Sequence, residues 1–150
     1  MSKAYGLAGL RIGWLASRDA GLLAAAAAVK DYTTICSSGP SELLATAALT
    51  TGETILERNR GIVRSNLVLL HEFFARRDTL FRWLPPRAGS VTFPTLRQGD
   101  PDAFCADVLA RAGVLLLPGT VFEPGSREVR LGFGRRNMPD ALARLDAVLG

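Results

Sequence analysis

The sequence predicts an α/β fold divided between two pieces. A strand-like run at 10–16 precedes a run of strong helix formers at 20–30, and a strand followed by a helix is typical of α/β proteins. Apolar residues at three-and-four spacing predict a long helix from 53 to about 77. After Pro85-Pro86, strand and helix patterns alternate again. We therefore expect the edge of a larger domain at 1–52, a linking helix at 53–80 and a small C-terminal α/β domain at 81–150.

The helices of the first piece have recognisable beginnings. Asp19 stands where an N-cap is wanted, just before the alanine-rich run. A loop at 33–40 precedes a second helix, which begins near Ser41 and ends before Thr51-Gly52. The strand at 10–16 cannot form a sheet by itself, because both of its edges would expose unpaired backbone groups. We expect the remaining strands of this sheet to lie outside the chain.

The second piece shows a compact alternation of strands and helices. The patterns predict strands near 90–93, 114–117 and 129–133, and helices at 101–112 and 139–149. Asp100 and Asn137 are the expected N-caps, each followed by a proline at or near the first helical position.

Composition is that of an ordinary globular protein. Hydrophobic residues make up 48% of the 150 residues and charged residues 21%. The net charge of +4 comes without an aromatic-interleaved basic block or a helix-turn-helix pattern, so a nucleic-acid partner is not expected. The longest apolar stretch, at 21–29, is far shorter than the roughly 20 residues of a membrane span, and no secretory signal is visible. We expect a cytoplasmic protein without a membrane partner.

Cysteine and histidine do not point to a metal site. Cys36 and Cys105 lack CxxC spacing, so two free thiols are expected in the cytosol. His71 is the only histidine and has no further ligand at metal-binding spacing, so we assign it to the long helix.

The segment 2–14, SKAYGLAGLRIGW, carries the first chemical motif. It resembles the lysine motif of fold-type I, class I/II aminotransferases. The resemblance implies that Lys3 binds pyridoxal phosphate covalently and that Arg11, eight positions later, holds the phosphate. The residue types suit those roles, since a partly desolvated amine is nucleophilic and a guanidinium matches a phosphate. Glycines at 6, 9 and 13 allow a close backbone approach.

A second motif lies near the other end of the chain, at 117–122 (LPGTVF) and 129–133 (VRLGF). It resembles the PGxxF turn of the same family and the strand whose arginine pairs with the substrate α-carboxylate. The resemblance implies that role for Arg130, and the residue type suits it, since a bidentate guanidinium matches a planar carboxylate and fixes the substrate orientation. Arg127, Arg135 and Arg136 are the competing arginines.

The resemblance covers almost the whole chain and implies a truncated fold-type I aminotransferase. The implied activity is amino-group transfer between an amino acid and a 2-oxo acid, with pyridoxal phosphate as cofactor and a homodimer as the complete enzyme. The family's other cofactor contacts lie upstream of the lysine, so this chain alone is expected to be inactive. Two alternatives stay open: a lyase, decarboxylase or cyclase of the same fold, and a non-catalytic module, either the sensor domain of a regulator or a truncated relic.

Overall fold

The computed structural model describes residues 1–150 and divides them into two compact units, Met1–Asn59 and Arg60–Gly150. The helices are α1 (Ala20–Thr33), α2 (Gly39–Thr50), α3 (Gly52–Ala75), α4 (Pro101–Ala112) and α5 (Met138–Leu149). The strands are β1 (Phe81–Arg82), β2 (Val91–Thr92), β3 (Thr95–Leu96), β4 (Leu117–Pro118) and β5 (Val129–Gly132). Short 3₁₀ turns occupy Ala8–Leu10 and Gly119–Val121. The predicted combination of helices and strands is confirmed.

The first unit is helical, and its predicted strand is wrong. Residues 11–17 form no strand, because a strand exists only through hydrogen bonds to a neighbour and no segment of this chain pairs with them. The predicted cap of α1 is confirmed, since the Asp19 carboxylate accepts a 3.0 Å hydrogen bond from the backbone N–H of Leu22. No residue of α1 is buried, and only Ala45 and Ala48 are buried in α2.

The second unit contains two small antiparallel sheets. One has the order β2-β5-β4, with Thr92 opposite Leu131 and Leu117 opposite Arg130, and the other pairs β1 with β3. The strand predicted at 114–117 begins only at Leu117, because the preceding residues do not pair with β5. Strands β1 and β3 were not predicted, since two residues are too few to show an alternating pattern.

The two predicted N-caps of this unit differ in whether the side chain makes a capping hydrogen bond. The Asp100 carboxylate accepts a 3.0 Å hydrogen bond from the N–H of Ala103, which confirms it as the cap of α4. Asn137 occupies the N-cap position of α5, as predicted, but its side chain makes no capping hydrogen bond. Its φ of −87° and ψ of 10° differ from the extended backbone that a capping side chain normally requires.

The hydrophobic core lies within the second unit. Its largest fully buried side chains are Phe73 and Leu70 from α3, Phe133, Leu96 and Leu145. Two buried polar side chains, Asn66 and Thr92, have hydrogen-bond partners there, as buried polar groups generally do. The Trp83 indole N–H donates to the Thr92 hydroxyl over 2.8 Å, and the Asn66 amide donates to the carbonyls of Phe133 and Arg135, each over 2.8 Å. Asn66 thereby attaches α3 to the chain that leaves β5.

An ion pair joins the segment after α3 to α5. Arg77, whose side chain is only 10% exposed, pairs with Asp146 at 2.6 Å and donates to the carbonyls of Asp146 and Gly150. Its guanidinium also lies 4.7 Å from the centre of the Phe73 ring. Arg76 approaches the same carboxylate at 3.0 Å from a more exposed position.

No helix of the structure is both long and apolar enough to cross a membrane.

Candidate functional site

Lys3 lies in a tight turn at the start of the first unit. Its side chain is exposed, and its carbonyl accepts a 3.0 Å hydrogen bond from the N–H of Gly6. Gly6 has a φ of +67°, a conformation that glycine adopts without a steric penalty. The Asn59 amide of α3 donates to the Ala4 carbonyl over 2.9 Å. The turn that carries Lys3 is therefore fastened to α3 through a residue with no signal in the sequence.

Arg11 follows the first 3₁₀ turn in the left-handed conformation, with a φ of 51°. Residues other than glycine rarely adopt this conformation. Here it ends the 3₁₀ turn immediately after Leu10. The guanidinium is exposed, and its Nη1 donates to the Ala8 carbonyl over 3.1 Å. The remaining guanidinium donors have no protein acceptor. Lys3 and Arg11 thus lie in one short segment, and both side chains are cationic and exposed.

Arg130 lies on β5 in the second unit, between two buried residues, Val129 and Leu131. It is half-buried and forms no ion pair with a carboxylate, although burying a charge without a counter-charge is unfavourable. Its guanidinium carbon lies 6.0 Å from the centre of the Phe122 ring. The competing arginines are more exposed than Arg130; they are Arg127, Arg135 and Arg136.

The turn at 118–122 is held firmly beside Arg130. The N–H of Gly119 donates to the Glu128 carbonyl over 2.7 Å. A Cβ at position 119 would lie 2.8 Å from that carbonyl oxygen and would also collide with the Ser126 hydroxyl, so only glycine fits. The Thr120 hydroxyl donates to the Asp102 carboxylate of α4 over 2.8 Å. These contacts fix the position from which the Phe122 side chain extends.

Phe122, the aromatic residue near the guanidinium of Arg130, meets a second aromatic ring. Phe93 and Phe122 meet edge to face, with ring centres 6.0 Å apart, and they are 42% and 57% exposed. Phe122 belongs to the PGxxF turn that the sequence analysis identified, but no role was predicted for it. Its place in that motif was the available signal. Phe93 had no comparable signal, because a single aromatic residue after a short strand is commonplace.

A cleft of about 600 Å³ in the second unit is lined by Arg130, Arg135 and Arg144 together with residues 113–117. Asp140 is the only carboxylate residue in its lining. Three guanidinium-bearing residues against one carboxylate favour an anionic ligand over a cationic one.

Other reactive groups do not form a second centre. Burial raises the pKa of the Cys105 thiol to about 11, and the charges of Asp102 and Asp100 add to the rise. At neutral pH this thiol is protonated and is a poor nucleophile. No group of three or more histidine, cysteine or acidic residues is arranged to hold a metal ion.

The chain matches known proteins over nearly all of its length. The family model for aminotransferase class I and II matches residues 1–145. Capreomycidine synthase from Streptomyces vinaceus is 32% identical over 154 residues, which covers 100% of this chain and 39% of that protein. A PLP-dependent aminotransferase from Streptococcus suis 89-1591 is 34% identical, with a TM-score of 0.89 over 99% of this chain and 40% of that one.

A PLP-dependent cyclase, OrfR, is 33% identical, with a TM-score of 0.87 over 99% of this chain and 41% of that chain. The chain therefore spans about two fifths of the length of these similar proteins. Their fold extends over both units described above. On the extent of the family match, this chain belongs to the class I and II aminotransferases.

Proposed function

We propose that the whole protein transfers an amino group between an amino acid and a 2-oxo acid with pyridoxal phosphate as cofactor. The observation that carries this proposal is the half-buried guanidinium of Arg130, which has no carboxylate partner within the chain. Such a cation is expected where an anionic ligand completes the pairing. The α-carboxylate of an amino acid has the charge and the planar shape that this group accepts.

The residues of the first unit fit the cofactor. The exposed amine of Lys3 can reach an aldehyde, and the free donors of Arg11 suit a phosphate. When bound, pyridoxal phosphate supplies an electron sink next to the substrate Cα. In this proposal Lys3 Nζ would hold the cofactor covalently and, once displaced by the substrate amine, would be the free amine that takes the proton from the substrate Cα. Arg11 holds the phosphate, and Arg130 orients the substrate through its carboxylate.

The domain organisation follows the same proposal. Residues 1–52 belong to the large cofactor-binding domain, 53–80 link the domains, and 81–150 form the small domain. The complete enzyme is a homodimer with an amino acid and a 2-oxo acid as substrates, and the chain by itself is inactive. The cytosolic location expected from the sequence stays a prediction.

The similarity to a PLP-dependent cyclase supports cyclisation as a second candidate. The two reactions differ in the fate of the substrate nitrogen, because transfer moves it to a 2-oxo acid and cyclisation keeps it in the product. The test incubates the full-length, cofactor-loaded protein with ¹⁵N-labelled amino acids and an unlabelled 2-oxo acid. Amino transfer predicts ¹⁵N in the newly formed amino acid by mass spectrometry. Label retained in a dehydrated or ring-closed product would replace amino transfer with cyclisation.

A further inference from the structure

The guanidinium carbon of Arg130 lies 6.0 Å from the centre of the Phe122 ring, and the guanidinium forms no ion pair. Arginine over an aromatic face is attracted by the negative potential of the ring. A long side chain on an open face would otherwise sample many rotamers, and binding a ligand would have to select one of them. Contact with the ring narrows that range before a ligand arrives.

The ring itself is held in place. Phe93 meets it edge to face, with ring centres 6.0 Å apart. The backbone N–H of Phe122 donates to the Gly119 carbonyl over 2.8 Å, and the Gly119 N–H is bonded to the carbonyl of Glu128, two residues before Arg130. The Thr120–Asp102 hydrogen bond fastens the same turn to α4. Hydrogen bonds therefore connect the turn that carries Phe122 both to α4 and to the residues just before Arg130.

Stability of the fold does not account for this arrangement. Phe122 is 57% exposed and does not belong to the hydrophobic core. An apolar side chain so exposed contributes little burial energy. The Phe122 ring instead lies near the guanidinium of Arg130, which forms no ion pair.

We propose that Phe122 is a positioning residue that holds the guanidinium of Arg130 ready for the substrate carboxylate. This inference rests on the proposed function of Arg130. Phe122 acts through Arg130 and does not itself need to touch the reacting atoms. Removing the ring should weaken substrate binding without slowing the chemical step, because the contact is made equally before and during the reaction.

The first experiment measures the position of Arg130 without cofactor or substrate. In the full-length protein without cofactor, labelled with ¹⁵N-arginine, the Nε–Hε NMR signal of Arg130 should carry an upfield ring-current shift and show restricted motion. Phe122→Leu should abolish both, and Phe122→Tyr should retain them. Val121→Ala is the matched control, since Val121 is an exposed neighbour in the same turn and should leave the signal unchanged. An Arg130 signal that is the same in Phe122→Leu as in the parent chain would overturn the proposal.

The second experiment measures kinetics in the full-length, cofactor-loaded protein, with the best donor from a panel of the common L-amino acids. Phe122→Leu should raise KM about two- to fivefold, the range expected for loss of an exposed cation–π contact, with kcat unchanged. Phe122→Tyr should restore the parent KM. In an Arg130→Gln background, Phe122→Leu should have no further effect.

The two experiments separate the inference from the function on which it rests. An equal rise of KM in both backgrounds would show that Phe122 does not act through Arg130. An unchanged KM in Arg130→Gln would instead refute Arg130 as the carboxylate-binding residue. In that case the NMR comparison still decides whether Phe122 positions the guanidinium.

Discussion

Lys3 and Lys30 are the only lysines of the chain, so the covalent cofactor site can be tested by labelling. We expect borohydride reduction of the full-length, pyridoxal-phosphate-loaded protein to leave the pyridoxyl group on Lys3 in peptide mapping. Lys30, exposed in the last turn of α1, is a built-in control for nonspecific reaction. Equal labelling of both lysines would remove Lys3 from the site.

Arg130 is the second residue whose role a single substitution can test. Arg130→Lys keeps the charge but loses the bidentate geometry, so KM for the amino acid should rise about tenfold or more. Cofactor absorbance should be retained, because Arg130 is not expected to touch the cofactor. Arg127→Lys is the control, since Arg127 is exposed and lies two residues before the same strand begins. A larger effect in Arg127→Lys would transfer the role to that residue.

The charged residues of the candidate site could be predicted from the sequence, whereas the neighbouring residues that contact them or their segments could not. Lys3, Arg11 and Arg130 stand in motifs with fixed spacing, which can be read directly from the chain. Asn59 and Phe122 act through contacts with residues distant in sequence or on another element. Such contacts depend on the folded path of the chain: the PGxxF motif marks Phe122 but not its approach to Arg130, and no local pattern marks Asn59. The roles of the three charged residues stay predictions.

At the scale of elements, α5 depends on a charged contact with the residues that follow α3. Removing the Asp146 carboxylate leaves the buried Arg77 guanidinium with carbonyl partners alone. We expect Asp146→Ala to lower the free energy of unfolding by about 1–3 kcal/mol. Urea unfolding of the chain, followed by circular dichroism, measures the change.

The control for that prediction is a second arginine–aspartate pair. Asp107 and Arg111 form an exposed pair one turn apart on α4, at 2.9 Å. Asp107→Ala should change the free energy of unfolding by less than about 0.5 kcal/mol, because exposed pairs of this kind contribute little. Equal losses in the two variants would show that burial of Arg77 does not set the strength of its ion pair.

Helices could be predicted from the sequence more closely than strands. The predicted range of α4 agrees with the structure, because its cap, its proline and its apolar spacing are all local signals. The strand predicted at 10–16 failed because pairing requires a neighbour. The strand predicted at 114–117 began late for the same reason, since only Leu117 and Pro118 reach β5. A sequence shows the preference for strand but not the presence of its partner.

At the scale of the whole molecule, the two units bury very different amounts of apolar surface. The hydrophobic core cluster lies entirely in the second unit, whereas Ala45 and Ala48 are the only buried apolar side chains of the first. Large apolar residues of the first unit remain exposed, among them Trp14, Val29 and Tyr32, the last at 94%. Exposed apolar surface of this kind favours association.

We therefore expect the 150-residue chain alone to bind pyridoxal phosphate weakly and to catalyse no measurable amino transfer. The Lys3 side chain is exposed, and Arg11 is the one phosphate-binding residue that we propose. Absorbance titration, a transamination assay and sedimentation velocity should give weak binding, no turnover and self-association. Lys3→Ala is the control for nonspecific adducts. A monomer with tight cofactor binding and steady turnover would contradict this prediction.

The location of the core in the second unit also sets an order of events during synthesis. Translation proceeds from the N-terminus, so the first unit leaves the ribosome before the core residues of the second have been made. At about 5–20 residues per second, the roughly 90 residues of the second unit take about 5–20 s to follow. For that time α1 and its apolar flanks are exposed before the hydrophobic core of the second unit has been made.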